Sequence, residues 1–179
     1  MIDMERQKKK VICKHIPTDN SITCGPHNPA SLGCQFYELE DGEVATFFTA
    51  KRIHEGQLSI VHGGLSAAVL DELMGRSALA TGRKQIDEDW IPRYVTAEMT
   101  VKYKKPILVG QKIHGFGRVY NKEGRRRYTS SELINEDGEV VASAEGIFVE
   151  IKVPKSELSE YGIRDKNRQK LSENDPKEL

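Results

Sequence analysis

The feature of this sequence that most constrains its fold is the segment from Ile60 to Gly75, which continues as a helical pattern to about Gly82. Its apolar residues recur at helical spacing and form one stripe: Leu65, Ala68, Val69, Leu73 and Leu79. Its small residues, with one carboxylate among them, form a second stripe: Gly64, Ala67, Ala68, Asp71, Gly75 and Ala78. The two stripes predict a long helix that packs on a core and lets another backbone approach closely.

Asp71 places a carboxylate among these small residues, and two interpretations of it stay open. An unpaired buried carboxylate costs several kcal/mol or becomes neutral through a shift in its pKa. Asp71 could therefore lie on an exposed edge, in a cap or a salt bridge, or it could be an acid or base in a cleft. The neighbouring Glu72 lies about 100° further around a helix and is expected to reach solvent.

The start of the helix offers a site for negative charge. Gly63 and Gly64 leave backbone N–H groups without intrahelical partners at the positive end of the helix dipole, where a developing oxyanion is best held. Asp71 lies roughly 12 Å further along the axis, so one helix cannot present both groups to one carbonyl. Two antiparallel helices across a two-fold axis could do so, which predicts a homodimer with shared sites.

The composition favours one domain with a cytoplasmic location. A chain of 179 residues with 37% hydrophobic residues can bury a core, and no apolar segment reaches the length of a signal peptide or a membrane span. Its 27 basic and 27 acidic residues cancel, so the net charge indicates neither nucleic acid nor an anionic membrane as a partner.

The three cysteines are Cys13, Cys24 and Cys34, and their odd number favours reduced thiols over a disulfide scaffold. Cys13, His15, Cys24 and His27 could be combined into a Cys2His2 metal site, but their spacing fits no standard zinc module. We therefore expect structural thiols and no metal.

Alternation of apolar residues and turn signals predict strands at residues 35–40, 43–51, 93–104, 112–121, 126–135 and 139–152. Residues 52–59 are predicted as a loop and residues 83–92 as a polar connection. The result is an α+β fold in which an antiparallel sheet wraps around one long central helix. Residues 1–19 are expected to form an arm, residues 20–153 the domain, and residues 154–179 a charged tail with a short helix and a disordered end.

Several motifs in order resemble the hotdog-fold acyl-CoA thioesterases of the phenylacetate-degradation type. The helix carries His62-Gly63-Gly64 followed by Asp71, and the resemblance spans residues 20–151. The other motifs are Cys-Gly-Pro-His-Asn-Pro at 24–29, Val-Lys-Tyr-Lys-Lys-Pro at 101–106 with Gly110, and the segments Asp137-Gly138 and 144–148. The resemblance implies the hotdog fold, hydrolysis of acyl-CoA to free acid and CoA without a cofactor, and a homodimer or homotetramer.

The resemblance also implies roles for individual residues. The Gly63 N–H would polarise the thioester carbonyl, with Gly64 beside it. Asp71 would activate water or attack the carbonyl itself, and Thr96 would position that water or the carboxylate. His62 matches the motif histidine, for which we favour a hydrogen-bonded positioning role over one as a proton carrier.

One position departs from the family pattern. Many members carry Asn or Gln six residues before the motif histidine, as a second donor to the carbonyl, and here that residue is Gly56. Gln57 or His54 could substitute, and loss of a donor costs on the order of 100-fold in rate. This departure keeps a binding-only protein, or a slow enzyme, open as an alternative.

Further binding residues are expected around the substrate. Asn28 lies in the entry motif, and Ala67, with its small neighbours, would line the acyl pocket. The phosphates of CoA need cations, for which Arg125, Arg126 and Arg127 are candidates. This arginine turn could equally be a solvated corner, with Lys102, Lys104 and Lys105 as the alternatives.

The sequence leaves three classes of function open. The first is an acyl-CoA thioesterase, and the second is another hotdog activity, such as a dehydratase using His62 or a regulator that binds CoA esters. A regulator would normally bring a DNA-binding segment, and no helix-turn-helix pattern fits the short N-terminal arm. The third is a noncatalytic scaffold.

Overall fold

The computed structural model describes residues 7–82, 89–154, 156 and 168–179. Its elements in chain order are β1 (Val11–His15), β2 (Gln35–Leu39), β3 (Val44–Thr49), a 3-10 turn (Arg52–His54), β4 (Glu55–Gln57), β5 (Ile60–Val61), α1 (Gly63–Gly82), β6 (Trp90–Tyr103), β7 (Lys112–Glu123), β8 (Arg126–Ile134), β9 (Val140–Pro154) and β10 (Arg168–Gln169).

Eight of the strands form one antiparallel sheet in the order β10-β1-β2-β3-β7-β8-β9-β6, while β4 pairs separately with β5. The helix α1 packs against β2, β3, β6, β7, β8 and β9 of this sheet. The predicted α+β layout, an antiparallel sheet around one long helix, is confirmed. Within the described residues, no helix has both the length and the apolar content needed to cross a bilayer.

The helix lies in direct contact with the backbone of β7. The side of α1 that faces the core carries four fully buried side chains: Val69, Leu70, Leu73 and Met74. A Cβ added at Gly117 would lie 2.6 Å from the Leu73 carbonyl oxygen, and therefore only glycine fits there without displacing the helix. This close backbone approach involves Leu73 of the apolar stripe, whereas the approach predicted along the small-residue stripe stays a prediction.

Most of the small-residue stripe faces away from this contact. Ala67, Ala68, Asp71 and Gly75 remain partly exposed, and Gly64 is exposed, whereas Ala78 is buried. This face of α1 is therefore not fully covered by the protomer itself.

Both chain ends differ from the prediction of an arm and a disordered tail. In the N-terminal segment, β1 pairs with β2 in the main sheet. The described C-terminal segment, residues 168–179, pairs with β1 through β10, and Lys9 and Leu179 exchange two backbone hydrogen bonds. Disorder is therefore wrong for residues 168–179, whereas the predicted boundaries after residues 19 and 153 stay predictions.

The prediction of disorder is wrong for residues 168–179 because backbone pairing and ion pairs hold this segment in place. Neither kind of contact can be inferred from a charge-rich composition. The buried Asp175 carboxylate accepts hydrogen bonds from the Lys14 ammonium at 3.0 Å and the Tyr37 hydroxyl at 2.9 Å. Leu171 and Leu179 pack against a buried cluster on the sheet that includes Phe116.

The predicted strands are found within a few residues of their expected ends. The largest difference is β6, which begins at Trp90, inside the predicted connection 83–92. The predicted loop 52–59 instead contains the 3-10 turn and β4. Residues 83–88 and the predicted short helix around Leu158, Tyr161 and Ile163 lie outside the described residues.

We expect Gly117→Ala to lower the free energy of unfolding by about 1–3 kcal/mol, because its methyl group would overlap the Leu73 backbone and force α1 off β7. Urea unfolding monitored by circular dichroism measures this change. Thr100→Ala, at an exposed position of the same sheet, is the control. Equal unfolding midpoints for Gly117→Ala and the wild type would contradict the proposed contact.

Candidate active site

Asp71 and Thr96 form the chemically distinctive contact of the site. Asp71 lies on α1 and is partly buried, and the Thr96 hydroxyl of β6 donates a hydrogen bond to its Oδ1 at 2.6 Å. Burial raises the pKa of the Asp71 carboxyl above its ordinary value, the Thr96 hydrogen bond opposes this rise, and the nearby Glu72 adds to it. The carboxylate is thereby a stronger base than one in free solution.

Glu72 and Asp71 play different parts although they are adjacent. Glu72 pairs with Arg76 at 2.7 Å, one helical turn further along. The Arg76 guanidinium also lies 4.4 Å from the centroid of the Phe36 ring. Glu72 thus belongs to an ion pair on the helix surface, whereas Asp71 has the Thr96 hydroxyl as its hydrogen-bond partner.

The first turn of α1 is held by two side chains. The Gly64 N–H donates to His62 Nδ1 at 2.9 Å, and the Tyr103 hydroxyl donates to the Gly63 carbonyl oxygen at 3.0 Å. The peptide between the two glycines is therefore fixed at both its N–H and its C=O. The Gly63 N–H itself has no acceptor in the described part of the chain.

This arrangement distinguishes the two glycine amides that the sequence placed side by side. The Gly64 N–H is occupied by His62, so the Gly63 N–H is the amide that can bind an external oxygen. Because Nδ1 accepts that bond, the neutral His62 ring carries its proton on Nε2. The hydrogen bond agrees with a positioning role for His62.

Gly56 is explained by its contact with the same histidine. A Cβ at this position would lie 2.8 Å from the Cα atom and 3.0 Å from the Cδ2 atom of His62, so the histidine occupies the space that a larger side chain would need. His54 is buried, and its Nδ1 accepts from the Lys51 N–H, so it serves the local turn. Gln57 is exposed and lines the cavity beside Gly63.

Two open cavities of about 560 Å³ each lie near opposite parts of α1. The first adjoins the helix start and is lined by Gln57, His62, Gly63, Tyr103, Lys104 and Lys105, among others. The second adjoins Asp71 and Thr96, with walls that include Ile16, Leu79, Val95 and Phe148. One protomer therefore does not bring Gly63 and Asp71 to the same cavity.

The three candidate arginines differ in their surroundings. Arg127 is buried, lies 3.3 Å from Glu150, and stacks over the Tyr94 ring at 5.2 Å. Arg125 and Arg126 are exposed at the turn between β7 and β8. Arg127 is therefore an internal ion-pair partner, and only the other two arginines are placed to meet a phosphate.

Asn28 and Ala67 lie apart from these cavities. The Asn28 side chain donates to the Asn20 carbonyl oxygen and accepts from the Ala30 N–H, which fixes the local turn. Ala67 is partly buried on α1, on the face that the protomer leaves open.

The cysteines are free thiols, and all three are buried. In the described residues, the group with metal-ligand spacing is Cys13, His15 and Glu38, whose ligand atoms lie within 4.8 Å of one another. Glu38 is also hydrogen-bonded to the Arg168 guanidinium, which already balances its charge. Cys24 and His27 do not join this group, so the Cys2His2 combination is not assembled.

Comparisons with known proteins agree with the observed fold. The sequence profile of the family described as the Thioesterase superfamily matches residues 58–142, which contain Gly63, Asp71 and Thr96. A crystal structure of a thioesterase superfamily protein matches with 27% identity and a TM-score of 0.65, over 73% of this chain and 60% of that chain. The chain has the hotdog fold of the thioesterase superfamily.

Two further similarities extend the comparison. Acyl-coenzyme A thioesterase THEM4 of Xenopus laevis is 27% identical over 121 residues, which are 66% of this chain and 50% of the relative. The chain thus spans about half the length of that curated relative. The PaaI protein of the E. coli phenylacetic acid degradation operon has a TM-score of 0.58 at 16% identity, over 67% of this chain and 80% of that chain.

The predicted resemblance and hotdog fold are therefore confirmed, but sequence reasoning missed two contributors. Tyr103 belongs to the quoted 101–106 motif, yet its contact with Gly63 was not predicted. Ile16 fell within the predicted arm and carried no signal for a role in a cavity. The alternation of buried Val11, Cys13 and His15 could have revealed the strand that places Ile16.

We expect Thr96→Val to raise the pKa of the Asp71 carboxyl further, because it removes the hydrogen bond that favours the ionised form and keeps the burial that opposes it. Titration of the Asp71 ¹³Cγ resonance measures the shift. Thr100→Val, an exposed change on the same strand, serves as the control. An unchanged or lowered Asp71 pKa in Thr96→Val would show that the hydroxyl does not stabilise the carboxylate.

Proposed function

We propose that the chain hydrolyses acyl-CoA thioesters, in a homodimer whose two subunits complete each active site. The observation that carries this proposal is the partly buried Asp71 carboxyl, held by Thr96 in an open cavity and given a raised pKa by its burial. A hydrogen-bonded carboxylate with a raised pKa suits general-base chemistry near neutral pH. The name of the acyl-coenzyme A thioesterase relative supports the same substrate class.

The free edge of β6 supports the homodimer. This 14-residue strand ends the sheet, pairing only with β9 among the described strands. Val95 and Tyr103 expose 45% and 57% of their surface on it, and a long strand edge with unpaired backbone groups can pair with another strand. The uncovered small residues of α1 lie on the same side, since Thr96 of β6 contacts Asp71.

The register of such pairing would complete the site. Within one protomer, Thr96 contacts Asp71 and Tyr103 contacts Gly63. Two antiparallel β6 strands related by an axis between Met99 and Thr100 would place Thr96 opposite the partner's Tyr103. The same symmetry would bring Asp71 towards the partner's Gly63, as an isologous interface requires.

In this arrangement, hydrolysis of the thioester needs one backbone N–H group and one carboxylate from the protein. The Gly63 N–H of one subunit donates to the thioester carbonyl oxygen, and Asp71 of the other takes a proton from an attacking water. The resulting tetrahedral intermediate expels the CoA thiolate as the C–S bond breaks, and the thiolate then accepts that proton. Direct attack by the Asp71 carboxylate, with later hydrolysis of an anhydride, uses the same geometry.

The charges at the helix start suit the CoA end of the substrate. Lys104 and Lys105 line the cavity beside Gly63, and Lys105 is also paired with Glu139. The walls beside Asp71 include the apolar side chains Val95 and Phe148, and Arg76 there is already paired with Glu72. CoA phosphates would therefore lie at the lysines and the acyl group beyond Asp71.

The contact between Gly56 and His62 favours a second candidate, a protein that binds acyl thioesters without hydrolysing them, because no side chain at position 56 can donate to the carbonyl. A donor is worth about 100-fold in rate, so its loss slows chemistry without preventing binding. Release of free thiol from a panel of acyl-CoA esters distinguishes the two candidates.

We expect Asp71→Asn to lower kcat by about 10²–10⁴-fold, because the amide cannot accept the proton of water. Thiol release measured with a chromogenic disulfide reports the rate, and size-exclusion chromatography reports whether the dimer persists. Glu72→Gln is the matched control, since it changes the adjacent carboxylate, which is paired with Arg76. Unchanged turnover in Asp71→Asn would refute the mechanism.

We expect Lys104→Gln to raise KM for acyl-CoA about tenfold, the effect of one charge-assisted hydrogen bond, while sparing thioesters of N-acetylcysteamine, which lack the nucleotide. The double variant Arg125→Gln/Arg126→Gln tests the exposed arginine turn in the same assay. Equal effects of Lys104→Gln on both kinds of ester would exclude a phosphate contact at that residue.

A further inference from the structure

The cavity beside Asp71 has both polar and apolar walls. Its apolar side chains are Ile16, Leu79, Val95 and Phe148, and its polar ones include Asp71, Glu72, Arg76, Arg93 and Thr96. Gly75 keeps the cavity deep, because a Cβ there would lie 3.1 Å from the Phe148 ring and would narrow the space between α1 and the sheet. An apolar group attached to a carbonyl near Asp71 would extend along these walls.

One wall of this cavity comes from the N-terminal segment. Ile16 follows β1 directly and, with Thr18, lines the cavity although both lie far in sequence from α1 and β6. They also lie outside residues 58–142, which match the thioesterase superfamily. This wall therefore comes from outside the part of the chain that the family profile matches.

The position of Ile16 is fixed by several contacts. The Arg76 guanidinium donates to its carbonyl oxygen at 3.4 Å, and Arg76 is itself held by Glu72. The preceding strand β1 is paired on both sides, with β2 and with β10. The side chain of Ile16 is thus held at the cavity by a rigid frame, as a residue that limits the size of a ligand must be.

We propose that Ile16 closes the acyl end of the substrate cavity and limits the length of the acyl chain that the protein accepts. The substrate class is then CoA esters of apolar acyl groups that fit between Asp71 and Ile16. This inference rests on the proposed function, because it assigns the acyl group to the cavity beside Asp71. A hydrophobic wall discriminates between chains differing by one methylene by about tenfold or more.

The test is the chain-length profile of kcat/KM over straight-chain esters from acetyl-CoA to palmitoyl-CoA. Ile16→Ala removes part of this wall, so the preferred acyl chain should become longer. The value of kcat/KM should rise about tenfold for esters with chains just longer than the wild-type optimum. The acyl group of acetyl-CoA is too short to reach Ile16, so kcat/KM for this ester should change by less than about twofold. Ile16→Phe should move the preference towards shorter chains, and Ile16→Val should move it slightly towards longer ones.

Ile12→Ala is the matched control, because Ile12 lies on β1 with 45% of its surface exposed and does not line the cavity. The same series is measured a second time as dissociation constants by calorimetry in the Asp71→Asn background, where binding is followed without turnover. The same change in chain-length preference should appear in both measurements.

The outcomes separate this inference from the proposed function. If the wild type hydrolyses acyl-CoA but the Ile16 variants keep its chain-length profile in rate and binding, the inference is overturned and the enzyme stands. If no ester is hydrolysed but binding preferences still change with Ile16, the hydrolase proposal fails and the role of Ile16 holds. Absence of both turnover and binding for every ester overturns both.

Discussion

The direct contact between α1 and the backbone of β7 is the constraint on which the rest of the structure depends. Gly117 lacks the Cβ that would meet the Leu73 carbonyl oxygen, so the helix can lie against the sheet with Leu70, Leu73 and Met74 buried beneath it. This contact fixes which side of α1 faces the core. Asp71 consequently lies away from this contact, where it is only partly buried beside β6 and lines a cavity.

The strand β6 connects the two functional parts of the helix. Thr96 donates to the Asp71 carboxylate near one end of the strand, and Tyr103 donates to the Gly63 carbonyl at its last residue. A single strand therefore orients both the proposed base and the proposed oxyanion donor, although the two line different cavities in the protomer. In the proposed homodimer, pairing of the free edge of β6 with its copy would bring the Asp71 cavity of one subunit next to the Gly63 cavity of the other.

The terminal segments add to this core without changing it. Residues 168–179 hold β1 by backbone hydrogen bonds and by the contacts of Asp175 with Lys14 and Tyr37. Because β1 is held in this way, Ile16, which follows it, lies in the wall of the cavity beside Asp71. The charge-rich composition of the tail gave no indication of this, because neither a backbone pairing partner nor a matched buried charge is visible in local composition.

The sequence by itself determined the long helix, six of the strands, the hairpin connections and the candidate groups Gly63, Asp71 and Thr96, because periodicity, turn residues and ordered motifs are local properties. Helix geometry alone did not separate the Gly63 amide from that of Gly64, which only the family resemblance did, and nothing in the sequence separated Arg127 from its two neighbours. Only the tertiary structure gave the physical reason, by bringing His62 Nδ1 to the Gly64 amide and Glu150 to Arg127. The same is true of Ile16, since contacts between residues far apart in sequence follow from packing and leave no periodic pattern in the chain.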